Sequence, residues 1–248
     1  MDEGKIRVGI GGWTYPPWRG VFYPPKLPHS KELEYASRQL GAIEINSTFY
    51  SRQSPKSWAN WERTVPGDFR FAIKGSRYCV TRPKLADARE GLENFFAQGF
   101  AALGSKLGPI LWQFAPRRKF DADDMAGFID LLPANLEGIR LRHAIEPRHE
   151  SFKDETFFEL CRSRNIAVVL DDSDQFPSIQ ADTADFTYAR LQRMNEEVET
   201  GYDDSALDAF ADRARKNRSD GRDAYIFMIN GAKVRAPAAA LALQERLR

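Results

Sequence analysis

Apolar and polar positions fall into two alternating rhythms along the chain. Short runs of strand character occur at Ile6–Gly12, Ile43–Asn46, Phe69–Lys74, Ile110–Phe114, Leu141–Glu146, Ile166–Asp171, Phe186–Leu191 and Tyr225–Asn230. A period of two is clearest where Ile43 and Ile45 alternate with Glu44 and Asn46. It recurs where Phe69, Phe71 and Ile73 alternate with Arg70, Ala72 and Lys74. Ile166–Asp171 is almost continuously apolar, as a strand covered on both faces is. Between these runs the pattern predicts helices at Ser30–Leu40, Pro55–Arg63, Asp87–Leu103, Asp121–Leu132, Asp154–Arg164, Asp203–Lys216 and Pro237–Arg246. Pro55 suits a first helical turn, and Asp154 suits an N-cap. Leu92, Phe95, Phe96 and Phe100 stand at helical spacing. Asp172–Ala184 carries no helix pattern, so one step of the alternation is expected to be irregular.

Eight strands interleaved with helices predict an α/β chain, a single TIM-like (β/α)8 barrel over residues 1–248. An open doubly wound sheet is the competing topology. It lacks its sequence signature, because Gly9-Ile10-Gly11-Gly12 runs into an aromatic, proline-rich loop and not into a helix. No cofactor motif is found, and none is called for.

Polar residues at the strand ends change the picture. In a barrel of this kind the functional groups sit at the C-terminal ends of the strands. Here those ends carry Glu44 and Asn46, Lys74, Gln113, Glu146 followed by Arg148 and His149, Asp171 and Asp172, Arg190, and Asn230. Each follows a mainly apolar segment, where another Val or Leu would pack more cheaply. Strand parity puts Glu44 with Asn46, Ala144 with Glu146 and Arg148, and Tyr188 with Arg190 on lumen-facing sides. Glu44, Glu146, Lys74 and Asp171 are the candidate catalytic groups. Trp13, Tyr15, Asn46, Tyr50, Gln113, Arg148, His149, Arg190 and Asn230 are the candidate substrate-binding groups. The loop Trp13–Tyr23 is expected to cover the mouth. Structural roles compete with these: Glu44 with Arg148 and Lys74 with Glu146 could be ion pairs that plug the barrel, and His149 could serve hydrogen bonding alone.

Composition bounds the rest. The 42% apolar and 12% aromatic residues supply a large core, and a net charge of +1 disfavours bulk nucleic-acid binding. Cys79 and Cys161 are far apart, which fits reduced thiols in a cytoplasmic protein. No apolar run is long enough to span a membrane, and none of secretory type precedes the first strand. Three histidines without His-x-x-x-His give no metal motif. Glu44, Glu146 and Asp171 could hold a hard cation, but Lys74, Arg148 and Arg190 balance them without one.

Several runs together resemble a known family. They are Gly12-Trp13-x-Tyr15-x-x-Trp18-x-Gly20-x-Phe22-Tyr23-Pro24, Glu44-Ile45-Asn46-Ser47-Thr48-Phe49-Tyr50, Lys74 with Thr81, and Gly108-Pro109-Ile110-Leu111-Trp112-Gln113-Phe114-x-Pro116. Glu146-x-Arg148-His149-x-Ser151, Asp171-Asp172 and Thr183-Ala184-Asp185-Phe186-x-Tyr188-x-Arg190-Leu191 complete the set. The chain resembles the YecE-like family, also called domain of unknown function seventy-two. That resemblance implies a TIM-like barrel and leaves the reaction open. The chain departs from the family pattern at Gly12, Arg82, Gln192-Arg193, Ile229 and around Pro237. The leading functional reading is an enzyme acting on a small anionic or polyhydroxylated molecule by acid–base chemistry at the barrel mouth. The alternatives are a metal-dependent nucleic-acid phosphodiesterase or nucleic-acid-binding barrel, and a non-catalytic small-molecule-binding barrel.

Overall fold

Parallel strands need both faces covered, and the chain provides this by alternating them with helices. The computed structural model describes residues 3–248. Its strands are β1 (Ile6–Gly11), β2 (Ala42–Ile45), β3 (Arg70–Lys74), β4 (Leu107–Gln113), a small antiparallel pair β5 (Asn135–Leu136) and β6 (Ile139–Arg140), β7 (His143–Glu146), β8 (Ala167–Val168), β9 (Leu170–Asp172), β10 (Phe186–Leu191) and β11 (Asp223–Met228). The main sheet is parallel throughout, in the order β8-β7-β4-β3-β2-β1-β11-β10-β9.

The strand expected at Ile166–Asp171 is thus divided. β8 pairs with β7, and β9 pairs with β10. Val169, between them, donates its N–H to the carbonyl of Ile145. One continuous segment therefore passes from one neighbour to the other and leaves a seam in a nearly closed barrel.

Among the described residues eight α-helices accompany the strands: α1 (Glu32–Gln39), α2 (Pro55–Thr64), α3 (Arg77–Val80), α4 (Arg89–Phe96), α5 (Ala122–Asp130), α6 (Glu155–Ser163), α7 (Asp204–Ser219) and α8 (Ala236–Arg246). Side-chain caps fix several starts: Ser54, Asp121, Asp154 and Asp203 each accept a backbone N–H from the first turn. The helix expected over Asp87–Leu103 stops at Phe96 instead. Gly99 adopts the left-handed region (φ 92), and 3₁₀ turns follow over Phe100–Lys106. The helical spacing of its aromatics has another cause. Phe95 packs on both Phe100 and Trp112, with ring centroids 5.3 Å apart in each case. As expected, Asp172–Ala184 forms no helix.

Two apolar cores flank the strands. The outer one, beneath the helices, takes Ile43, Ile45, Ile73, Ile110 and Ile145. The lumen is filled unequally. Ala42, Ala72, Ala144 and Ala167 come from β2, β3, β7 and β8, whereas Phe186, Tyr188, Tyr225 and Phe227 come from β10 and β11. Small residues on one wall make room for rings from the other, which satisfies close packing. Among the described residues no helix is long and apolar enough to cross a membrane.

Candidate functional site

The apolar lumen gives way to polar side chains at the C-terminal strand ends. Glu44, Lys74, Gln113, Glu146, Asp171 and Arg190 occur there on β2, β3, β4, β7, β9 and β10, with Arg148 just beyond β7. Parity explains the convergence, since each lies two positions beyond a lumen-facing residue: Ala42, Ala72, Leu111, Ala144, Val169 and Tyr188.

Arg190 is the hub. Its Nε and Nη2 each donate to Glu44 at 3.0 Å, and its Nη1 donates to Glu146 at 2.8 Å. Tyr188 donates its hydroxyl to Glu44 at 2.7 Å. Glu146 also accepts from Gln113 Nε2 at 2.9 and 3.0 Å and from Arg148 Nε at 2.7 Å. All four carboxylate oxygens are therefore satisfied, as complete burial demands. Although burial opposes its charge, the two arginines beside Glu146 hold its carboxyl down at about 2. The carboxylate pair in turn raises Arg190 above its usual range, against desolvation.

The ion pairs differ from those the sequence suggests. Glu44 pairs with Arg190 and not with Arg148, and Lys74 makes no pair with Glu146. The planar guanidinium grips Glu44 with two donors and reaches Glu146 with a third, a fork that an ammonium does not have. Lys74 is left over. Among the described residues its Nζ makes no hydrogen bond and no ion pair, and it stands 4.6 Å from the centre of the Phe49 ring. Desolvation, followed by the charge of Arg190, brings its ammonium down to about 8. Asp171 is the converse case. Its Oδ1 accepts from Gln192, but among the described residues its buried Oδ2 has no hydrogen-bond partner and lies 3.9 Å from Arg148 Nε. Burial and the nearby charge of Glu146 raise it to about 7.

Above this floor opens a cavity of about 460 Å³. Lys74, Trp13, Asn46, Tyr50, Gln113, Arg148, Arg190 and Asn230 all line it. Glu44, Glu146 and Asp171 do not; they lie beneath the cations. Tyr15 packs edge-on against Trp18 and carries the Lys233 ammonium 4.8 Å from its ring centre. His149 Nδ1 accepts the N–H of Ser151, capping the turn Glu150–Phe152. The loop Trp13–Tyr23 is itself a packed unit at this end. Trp18 is fully buried and donates Nε1 to the Lys233 carbonyl, and Tyr23 donates its hydroxyl to the Trp13 carbonyl.

Sequence reasoning missed Lys233 on the cavity wall; Ile229, which stands out in the sequence as a departure from the family pattern, lines it too. The end of the Ile229 side chain comes within 2.7 Å of where a Cβ on Gly11 would stand, so the two residues are in close contact on that wall. Tyr188 was placed on the correct face but not in the site. Lys233 follows β11 in a loop, where parity gives no direction. Among the described residues no group of three or more His, Cys, Asp or Glu is placed to hold a metal ion.

A family model described as "Protein of unknown function DUF72" matches residues 7–248. The chain belongs to the DUF72 family. A solved DUF72 family protein from Thermotoga maritima is 25% identical, with a TM-score of 0.81, over 98% of this chain and 99% of its own. A second DUF72 protein, from Enterococcus faecalis, is 16% identical with a TM-score of 0.74, covering 98% of this chain and 95% of its own. The barrel also resembles a xylose isomerase-like TIM barrel fused to a 4-hydroxyphenylpyruvate dioxygenase. There the identity is 16% and the TM-score 0.58, over 99% of this chain and 44% of that one. At that identity the likeness shows the fold alone. A comparison with curated proteins gives no match. The DUF72 assignment accounts for the barrel.

Proposed function

We propose that this DUF72 barrel is an enzyme that binds a small anionic molecule at its mouth and exchanges a proton with it through Lys74. One observation carries the reading. Among the described residues, four cationic side chains, Lys74, Arg148, Arg190 and Lys233, line the cavity, and no carboxylate does. Glu44 and Glu146 are spent on the guanidinium groups below, so a bound carboxylate or phosphate would supply the missing counter-charge. Trp13 and Tyr50 offer ring surface beside it. Glu44 and Glu146 then act by fixing Arg190 and Arg148. An amine that titrates near 8 can accept or return a proton close to neutral pH.

Calorimetric titration with a panel of small carboxylates and phosphomonoesters tests this. Arg148→Ala should weaken binding about tenfold or more, the range of a lost charge-assisted hydrogen bond. Added salt should weaken binding in the parent protein as well. Binding restricted to uncharged molecules, or unaffected by the substitution, would count against an anion site.

A further inference from the structure

Two lysines face the cavity, and they are held differently. Lys233 lies on a loop, with its ammonium above the rings of Tyr15 and Trp18. Lys74 ends a barrel strand, in register with Leu111 of β4, while its neighbour Ile73 is in register with Ile45 of β2. Its Thr48 neighbour donates a hydrogen bond to the Lys74 carbonyl, which ties down the next turn as well. Only 8% of the residue is exposed, yet it forms part of the cavity wall. The carboxylates that could neutralise it are taken by Arg190, Arg148 and Gln113. A desolvated amine carried on a fixed strand end beside positive charge, open to a ligand cavity, is the arrangement that makes a lysine a nucleophile.

We propose that Lys74 forms an imine with the carbonyl carbon of a small substrate that carries both a carbonyl and an anionic group, a 2-oxo acid or its phosphorylated equivalent. This rests on the anion-binding reading of the same mouth. The anionic group sits on Arg148 and the adjoining carbonyl faces Nζ, since Arg148 and Lys74 line the same cavity. The Nζ lone pair forms a bond to the carbonyl carbon while the carbonyl π pair moves to oxygen. The resulting carbinolamine loses that oxygen, with the two amine protons, as water. A proton from solvent then converts the imine to the iminium, whose positive charge is balanced by the anion of the bound substrate. The iminium draws electrons from the neighbouring carbon, so the loss of a proton or the cleavage of a carbon–carbon bond becomes accessible there. No oxidant, reductant or metal enters these steps.

The depressed titration of Lys74 supports the same end. An amine at about 8 is neutral on the order of 10²-fold more often at pH 7 than a free lysine near 10.4.

Reductive trapping tests the inference. The full chain is incubated with pyruvate and sodium cyanoborohydride, and the products are followed by intact mass and peptide mapping. The expected adduct is the probe less one oxygen atom, on Lys74. It should form on the order of 10²-fold faster than at surface lysines. The rate should rise as pH passes through about 8, and Lys74→Met should abolish the fast phase. Lactate, which has the anion but no carbonyl, should compete. Equilibrium binding of lactate separates the two failures. If lactate binds in the mouth with an Arg148-dependent affinity and Lys74 stays unlabelled, the imine is overturned and the anion site stands. If neither lactate nor pyruvate is bound and no fast label forms, both readings fall. Fast labelling at Lys233 in place of Lys74 also overturns the inference.

Discussion

Lys74 is buried beside two guanidinium groups, so its charged form is the costly one in the fold. Its folded value of about 8 lies below that of an unfolded lysine. Between the two values the unfolded chain binds more protons, and stability rises with pH through that window. Lys74→Met should therefore raise the melting temperature at pH 7, with an advantage that shrinks above about pH 8. Asp171 has the opposite sign. Its folded value of about 7 exceeds the unfolded one, so stability falls as pH rises from about 4 through 7. Asp171→Asn should gain nothing near pH 4 and stabilise progressively toward pH 8. Thermal melts across this range check both; parallel pH profiles for parent and variants would contradict them. Arg190 is a different case, because its loss strands two buried carboxylates. Arg190→Met should cost about 3–5 kcal/mol in denaturant titrations.

Among the elements, β1 shows how closely the strands approach. A Cβ on Gly9 would fall 2.0 Å from the Ala42 carbonyl oxygen of β2, its register partner. Gly9→Ala should thus push β1 from β2 and destabilise the protein by about 1–3 kcal/mol, the range of an overpacked core; an unchanged urea midpoint would show that the strands can part without cost. The strand and helix order was legible because Ile43 and Ile45, or Phe71 and Ile73, can be buried on one face only when the strand register is fixed. Phe95, Phe96 and Phe100 misled, since their spacing imitates a helix that Gly99 interrupts. Side-chain direction at the strand ends was legible for the same reason as register. Which charge meets which was not: Arg190 reaches Glu44 across the lumen, and distance across a barrel has no trace in sequence separation. Lys233 was hidden by its loop.

At the scale of the whole molecule, the barrel is weakest where it closes. Only Ala167 and Val168 pair with β7, and only Leu170–Asp172 with β10. The step from β9 to β10 also lacks the crossover helix that other steps have, because none forms over Asp172–Ala184. Amides of β8 and β9 should exchange with solvent faster than those of β1 and β11, which share five consecutive register pairs. Equal protection, measured by exchange mass spectrometry, would mean that the seam is not where opening begins. Against this soft join stands Arg190. A hoop of strands can flatten into an ellipse without breaking one ladder hydrogen bond. Arg190, on β10, is fastened to Glu44 on β2 and to Glu146 on β7, two walls that are not its neighbours. Squeezing the hoop along one diameter must stretch one of these bonds, so a single flat cation works as a spoke. The aperture then keeps its width whether or not a ligand stands in it.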